Sequence, residues 1–358
     1  MKSLRFNLFF QLFLLVVPFS LFALEPTPTM TWEKIVLPFE ASKYNLRVVW
    51  LYNPYSKSVF VGEDKKGLFQ SKDGGKSWSR TDDGSFQADD SNNDFNSLQF
   101  GKDALFSITQ SRNGTRIFQS DNGKIWLPLW PHAGIQADEG MGWGNRLWVD
   151  HKKPSSMYAM TVKYGYESSE VLRQLWHTDN SWMSFEKINI SNEWAIGSVD
   201  IYNGRICIGS GAEINCSSDN GVTWVSLSLA PIADSMAKDK EVNSEPLIDI
   251  DKTNEELLIQ SAGKLYQTKN SRKIIEEKIH LNGRLFNLIF HPIDTYPAYG
   301  IFYESDDNPW KVLKINASGS INIFPGPKDK GFRLKSVDFS NSTLLIWASS
   351  ETFRGVLK

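Results

Sequence analysis

An octamer recurs along the chain: Ser71-Lys-Asp73-Gly-Gly75-Lys-Ser77-Trp78, then Gln119-Ser-Asp121-Asn-Gly123-Lys-Ile-Trp126, then Ser217-Ser-Asp219-Asn-Gly221-Val-Thr223-Trp224. Each residue type suits a tight turn. The Asp carboxylate accepts local backbone N–H bonds, Gly supplies backbone freedom, and Trp packs as the next strand begins. One copy would say little, but three spaced copies among short β-rich runs constrain the chain to a repeated β unit. Degraded copies fill the gaps: His177-Thr-Asp179-Asn-Ser181 precedes Phe185, and Gln267-Thr-Lys-Asn270-Ser271 precedes Ile274. Having lost the Asp or the Gly, these turns are expected to be looser.

The octamers resemble the Asp-box, or BNR, pattern Ser-x-Asp-x-Gly-x-Thr-Trp. In the families that carry it, the box joins the third and fourth strands of a propeller blade. That placement parses blade one as Leu46–Thr81, two as Asn96–Leu129, three as Arg146–Ile188, four as Ile196–Leu227, five as Leu247–Ile279 and six as Leu285–Phe324. The remainder, Leu334–Phe339, Leu344–Ala348 and Phe353–Leu357, has only three strands. Thr31–Leu37, near the other end, reads as the missing fourth strand and is expected to pair with the C-terminal one, leaving no open edge. The expectation is therefore all-β: a single seven-bladed β-propeller of four-stranded antiparallel blades, its ring closed by an N-terminal strand. One misread weak repeat would make the count six or eight.

Residues 1–23 have the layout of a secretion signal: Lys2 and Arg5, an apolar stretch from Phe6 to Phe22, then Ala23 before a polar, Pro-containing segment. Cleavage after Ala23 would leave residues 24–358 as the propeller domain, periplasmic or extracellular; Leu21 at the −3 position keeps an uncleaved anchor as the alternative. No later stretch is long and apolar enough to span a bilayer, so the mature part is expected to be a soluble monomer. Cys207 and Cys216 flank one hairpin with a turn at Gly211-Ala212, which sets them directly opposite. In an oxidising compartment a cross-strand disulfide is feasible, and two buried free thiols are the other reading.

A formal charge of −2 gives no global field for nucleic acid, so recognition must be local. Arg47, Arg146, Arg284 and Arg333 stand at nearly the same position, the start of the innermost strand, in four blades. Equivalent positions converge on a ring, so they could form a basic collar that captures carboxylates, sulfates or phosphates. The alternative pairs each with a loop carboxylate such as Asp94, Asp138 or Glu245. The same face carries long loops with Trp130, His132, Trp143, Tyr164 and Tyr166, a candidate contact surface for protein or carbohydrate. Asp73, Asp121 and Asp219, with Gly75, Gly123, Gly221, Trp78, Trp126 and Trp224, are read as structural. No HExxH, Cys/His cluster, calcium loop, P-loop or nucleophile elbow is present, so no metal, cofactor or catalytic residue is assigned.

Across nearly the whole mature chain the blade grammar resembles the superfamily of sialidases, xyloglucanase-like glycosidases, sortilin-type receptors and photosystem II stability/assembly factors. A seven-bladed ring with an Arg-rich channel mouth is most similar to the assembly factors, which implies a non-catalytic binder of a protein or anionic ligand. A glycosidase is the competing class. Sialidases carry six blades and an Arg-Ile-Pro motif, whereas Arg47-Val48-Val49 lacks the Pro; xyloglucanase-like enzymes need two carboxylates across a cleft, and none can be paired from Asp64, Asp94 and Asp138.

Overall fold

The computed structural model describes residues 29–39, 48–63, 66–82, 94–111, 114–130, 146–164, 171–191, 196–210, 213–230, 232, 247–252, 254–261, 263–269, 274–279, 281, 283–303, 310–327, 332–348 and 351–358. Their strands form seven four-stranded antiparallel sheets. Blade one holds β2 (Val48–Asn53), β3 (Ser58–Glu63), β4 (Gly67–Ser71) and β5 (Ser79–Arg80); blade two holds β6 (Asp94–Phe100), β7 (Leu105–Ser111), β8 (Gly114–Ser120) and β9 (Leu127–Trp130). Blade three holds β10 (Arg146–Val149), β11 (Met157–Tyr164), β12 (Val171–Thr178) and β13 (Glu186–Ile188); blade four holds β14 (Ile196–Tyr202), β15 (Arg205–Ser210), β16 (Glu213–Ser217) and β17 (Val225–Ser228). Blade five holds β18 (Leu247–Ile250), β19 (Leu257–Ser261), β20 (Lys264–Lys269) and β21 (Ile274–Ile279); blade six holds β22 (Arg284–His291), β23 (Thr295–Tyr303), β24 (Lys311–Ile315) and β25 (Ile321–Pro325). Blade seven takes β26 (Phe332–Asp338), β27 (Thr343–Ala348) and β28 (Glu351–Leu357), completed by β1 (Met30–Ile35).

Apolar residues on both faces of these sheets meet those of the next blade, so the core consists of seven clusters, one per interface. Phe60 and Leu68 of blade one meet Leu98, Phe100 and Trp126 of blade two. Tyr299, Ile301 and Phe324 of blade six meet Phe332, Leu334 and Ile346 of blade seven. Tyr52 and Val59 meet Leu345, so blade one packs on blade seven and the ring is closed. Each such side chain, once buried, contributes roughly 1.5–3 kcal/mol.

The closing strand β1 runs antiparallel to β28, with Met30 opposite Leu357 and Ile35 opposite Thr352. Side chains reinforce the ladder. The buried Arg354 guanidinium donates to Glu33 Oε1 at 2.6 Å and to the Gly74 carbonyl at 2.9 Å, tying β28 to β1 and to blade one. Trp32 lies across Gly355, where a Cβ would strike the indole, and its Nε1 donates to the Pro325 carbonyl at 2.8 Å.

The turns of blades one and four are built alike. Gly75 N–H donates to Ser71 Oγ and Ser77 N–H to Asp73 Oδ1; Gly221 N–H donates to Ser217 Oγ and Thr223 N–H to Asp219 Oδ1. Burial pushes the Asp73 carboxyl up, but the bonds from Ser77 and Ser71 outweigh it and hold it at about 2. The hydroxyl and N–H of Thr223, with the Ser217 hydroxyl, hold Asp219 at about 2 as well. Gly75 has φ 91° and Gly221 φ 86°, and a Cβ at either would run into the preceding blade, at Leu345 or Ile188. The turn thus docks each blade under its neighbour.

Blade three departs from the looser turn expected of it. Thr178 Oγ1 accepts from Trp182 N–H at 3.0 Å, and Asn180 Oδ1 accepts from Ser184 N–H at 2.9 Å. The functional register is therefore Thr178-x-Asn180-x-Trp182-x-Ser184-Phe185, one residue later than the sequence suggests. An amide oxygen replaces the carboxylate, and Trp182 occupies the glycine position at φ 68°. Burial of its indole among Phe106, Leu147 and Met157 offsets that backbone cost. In blade two the bonds come from other residues: Gly123 N–H donates to Ser120 Oγ and Lys124 N–H to Asn122 Oδ1, while Asp121 is exposed. Residues 270–273 of the other degraded copy lie outside the described residues. Cys207 and Cys216 are directly paired across β15 and β16 and joined as a disulfide within the cluster between blades four and five.

Candidate functional site

Because the strands of every blade alternate in direction, the innermost ones all start on one face of the ring. The octamer turns and the turns closing the first hairpin of each blade lie on the other. On the first face a cavity of about 630 Å³ opens between blades six and seven, lined by Asn287, Ile301, Trp310, Phe332, Arg333, Leu334 and Lys335. That size suits a small ligand or a short peptide segment.

Two β-bulges shape it. Register slips on β22 between Phe286 and Ile289, and on β26 between Leu334 and Ser336. Bulges re-aim side chains, and here both strands contribute their displaced residues, Asn287 (φ 51°) and Lys335, to the same lining. Trp310 forms the wall, with its ring centroid 5.7 Å from Tyr303 and 5.9 Å from Phe332. Arg333 is exposed at the mouth, and Lys335 is half-buried. Burial, then the charge of Arg333, lowers the Lys335 pKa. No carboxylate stands among the described lining residues. Two cations side by side, one exposed and one half-buried, favour an anion between them, and the aromatic wall favours an apolar or planar group beside that anion.

Of the four collar arginines, Arg333 lines this cavity and Arg284 begins the neighbouring innermost strand, over Gly263. Arg146, exposed at the start of β10, stands across the ring in blade three. Arg47 lies outside the described residues, as do His132, Trp143 and Tyr166. Trp130 ends β9 opposite Ile117, and Tyr164 ends β11 opposite Val171. Lys335, Asn287 and Trp310 were not singled out from sequence. Lys335 follows Arg333 by two residues, which was the available signal.

One other constellation has the outline of catalytic machinery. Ser156 Oγ lies 3.1 Å from His177 Nε2, and His177 Nδ1 lies 3.2 Å from Glu186 Oε1. Ser156 and His177 are only 1% and 2% exposed, so no acyl substrate reaches the hydroxyl, and the relay braces the turn of blade three. At the far end of the innermost strands, Lys252 Nζ bridges Asp249 Oδ1 at 2.5 Å and Asp200 Oδ2 at 3.2 Å. The imidazole of His151 stacks on Phe100, and burial, then the Lys252 charge, lowers its pKa to about 4. Among the described residues no group of three His, Cys, Asp or Glu is placed to hold a metal.

No known family's sequence pattern matches the chain, and no curated protein matches it in sequence. Solved structures do resemble it. YCF48 bound to D1 peptide shares 12% identity at a TM-score of 0.58, covering 91% of this chain and 95% of that one. YCF48 from Cyanidioschyzon merolae shares 14% identity at 0.56, covering 90% and 98%. The GH74 xyloglucanase from Xanthomonas campestris shares 11% identity at 0.57, covering 90% of this chain but 53% of the enzyme. At such identities the likeness concerns architecture alone: this chain is a seven-bladed β-propeller whose ring is similar to the rings of peptide-bound YCF48 and of a GH74 xyloglucanase.

Proposed function

We propose that the chain is an exported, non-catalytic binding propeller that takes an acidic peptide segment of a protein partner into the cleft between blades six and seven. The lining carries this reading: two cations, Arg333 and Lys335, beside the Trp310 wall, with no described carboxylate opposing them. Export rests on the Lys2/Arg5 and Phe6–Phe22 layout of the N-terminus. The YCF48 structure, solved with a D1 peptide, is a ring of similar shape holding a peptide, which supports the choice of ligand class. Glycoside hydrolysis, the activity of the GH74 neighbours, requires two carboxylates flanking the scissile bond, and the described lining supplies none.

A Glu/Asp-rich peptide and a panel of xyloglucan oligosaccharides and sialosides, each titrated calorimetrically and assayed for product, separate the two classes. The expected outcome is peptide binding without sugar release. Arg333→Ala or Lys335→Ala each weakens that binding roughly 10- to 100-fold, the range for a lost charge-assisted hydrogen bond. Arg146→Ala, across the ring, leaves it unchanged. Release of reducing sugar, or peptide binding indifferent to Arg333 and Lys335, contradicts the assignment.

A further inference from the structure

The opposite face, built from the octamer turns and the first-hairpin turns, has a character of its own. In blades one to three it exposes Lys57, Lys72, Lys76, Lys102, Lys124 and Lys152. Against them stand exposed Asp103 and Asp121 and the half-buried Asp73, whose carboxylate stays ionised within its own turn, while Asp179 is paired with Lys153. In blades four to six the corresponding turns expose Asp219, Glu255 and Asp294 instead. Among the described residues, positive charge is therefore concentrated on the side of blades one to three.

The tips of neighbouring turns there are apolar. Met183 and Val222, at equivalent places in the turns of blades three and four, are 84% and 81% exposed, and Ile125 in blade two is 57% exposed. The blade-three and blade-four turns touch, through Asn220 Nδ2 and Asp179 Oδ2 at 3.5 Å, so two of these tips are neighbours on the rim. Exposed apolar side chains grouped on one rim and flanked by lysines are a surface built for contact.

The course of the chain indicates what that contact is. Thr29 and Lys358 exchange backbone hydrogen bonds, at 3.2 and 2.9 Å, where β28 ends and β1 begins, which is on this same face. The apolar stretch Phe6–Phe22 lies only six residues upstream, at 23–28 the connecting segment, and six residues span at most about 20 Å. A bilayer holding that stretch would therefore lie against the turn face and not against the cleft.

We infer that the turn face of blades one to three, with the adjoining Val222 tip of blade four, is a peripheral docking surface for an anionic lipid bilayer, with its lysines against the headgroups and Met183 and Val222 seated among them. This surface is independent of the cleft and leaves the cleft facing away from the membrane. Juxtamembrane lysines are attracted to anionic headgroups, and losing one weakens binding about fivefold.

Every strand of the ring lies within residues 30–357, so a chain starting at Leu24 keeps the whole fold and removes the apolar stretch from the experiment. It is mixed with vesicles of phosphatidylcholine alone or of phosphatidylcholine with phosphatidylglycerol, and bound protein is measured by flotation. Binding is expected to the anionic vesicles only, and to fall as salt rises. The triple variant Lys72→Ser/Lys76→Ser/Lys124→Ser should bind on the order of a hundredfold more weakly, and Met183→Ser/Val222→Ser should also lose affinity. Arg333→Ala, on the cleft face, should bind as the parent does. Equal binding to neutral vesicles, no binding to either, or a triple variant that binds like the parent overturns the inference; capture of an acidic protein by this face without vesicle binding does the same.

Discussion

A chain shortened to begin at residue 38 is expected to lose its cooperative thermal transition, whereas one beginning at Leu24 keeps it. The shortening removes the whole of β1, six residues paired with β28, together with buried Met30 and the Trp32 ring that covers Gly355. Ladder bonds at about 1 kcal/mol each and burial of the two side chains sum to roughly 5–10 kcal/mol, which is the whole stability of a typical domain. The damage is compounded because Arg354, buried against Glu33 and the Gly74 carbonyl, would lose its carboxylate, and β28 would become an open edge prone to pairing with other chains. Circular dichroism during heating reads the outcome, and a synthetic peptide of residues 29–37 should restore the transition. A shortened chain that melts like the longer one would show that the ring does not depend on this latch.

Lys252→Met is the point substitution with the largest expected effect, a loss of about 3–5 kcal/mol at neutral pH. Lys252 is 5% exposed and bridges Asp249 and Asp200, while its N–H donates to Thr295 and its carbonyl accepts from Tyr202, so one residue joins blades four, five and six. Burial already raises the Asp249 carboxyl well above the ordinary value, and removing the ammonium leaves that buried acid facing the partly exposed Asp200. A carboxyl whose folded pKa is raised contributes stability below its unfolded value and loses it as pH rises through the folded one, so the deficit of the variant should grow from about pH 4 upward. His151 supplies an independent reading. It is held at about 4 by burial and by the Lys252 charge, so its contribution is present above its ordinary 6.5 and fades as pH falls toward 4; in the variant its titration should move upward. Combining Lys252→Met with Asp249→Leu should recover much of the loss. Unchanged melting across pH 4–8 would remove this cluster as a keystone of the ring.

The architecture was legible because a propeller repeats its grammar: three intact octamers fixed the blade interval, and the orphan strand at Thr31–Leu37 found its partner by counting. Letters and hydrogen-bonding roles then diverged. Asp121 matches the pattern, yet its turn is held by Ser120 and Asn122; Asn180 breaks the pattern, yet its amide oxygen accepts the bond that Asp73 accepts in blade one. What a turn requires is an oxygen at the right place, and several residue types provide one. The cleft was half legible. Strand starts pointed to Arg333, but Lys335 and Asn287 reach the same cavity through bulges on adjacent innermost strands, and bulges leave no mark in hydrophobic alternation. Trp310, also from blade six, read as an ordinary strand start, and only the ring brings it opposite β26.

Reversing the sign of the cleft separates charge recognition there from general stickiness. Arg333→Glu/Lys335→Glu is titrated in parallel with a Glu/Asp-rich peptide and with a Lys-rich peptide of equal length. Loss of the acidic peptide with gain of the basic one, in a protein that melts like the parent, is the predicted result. Retained binding of the acidic peptide would contradict it, and would mean that the pocket between blades six and seven is not where this propeller meets its partner.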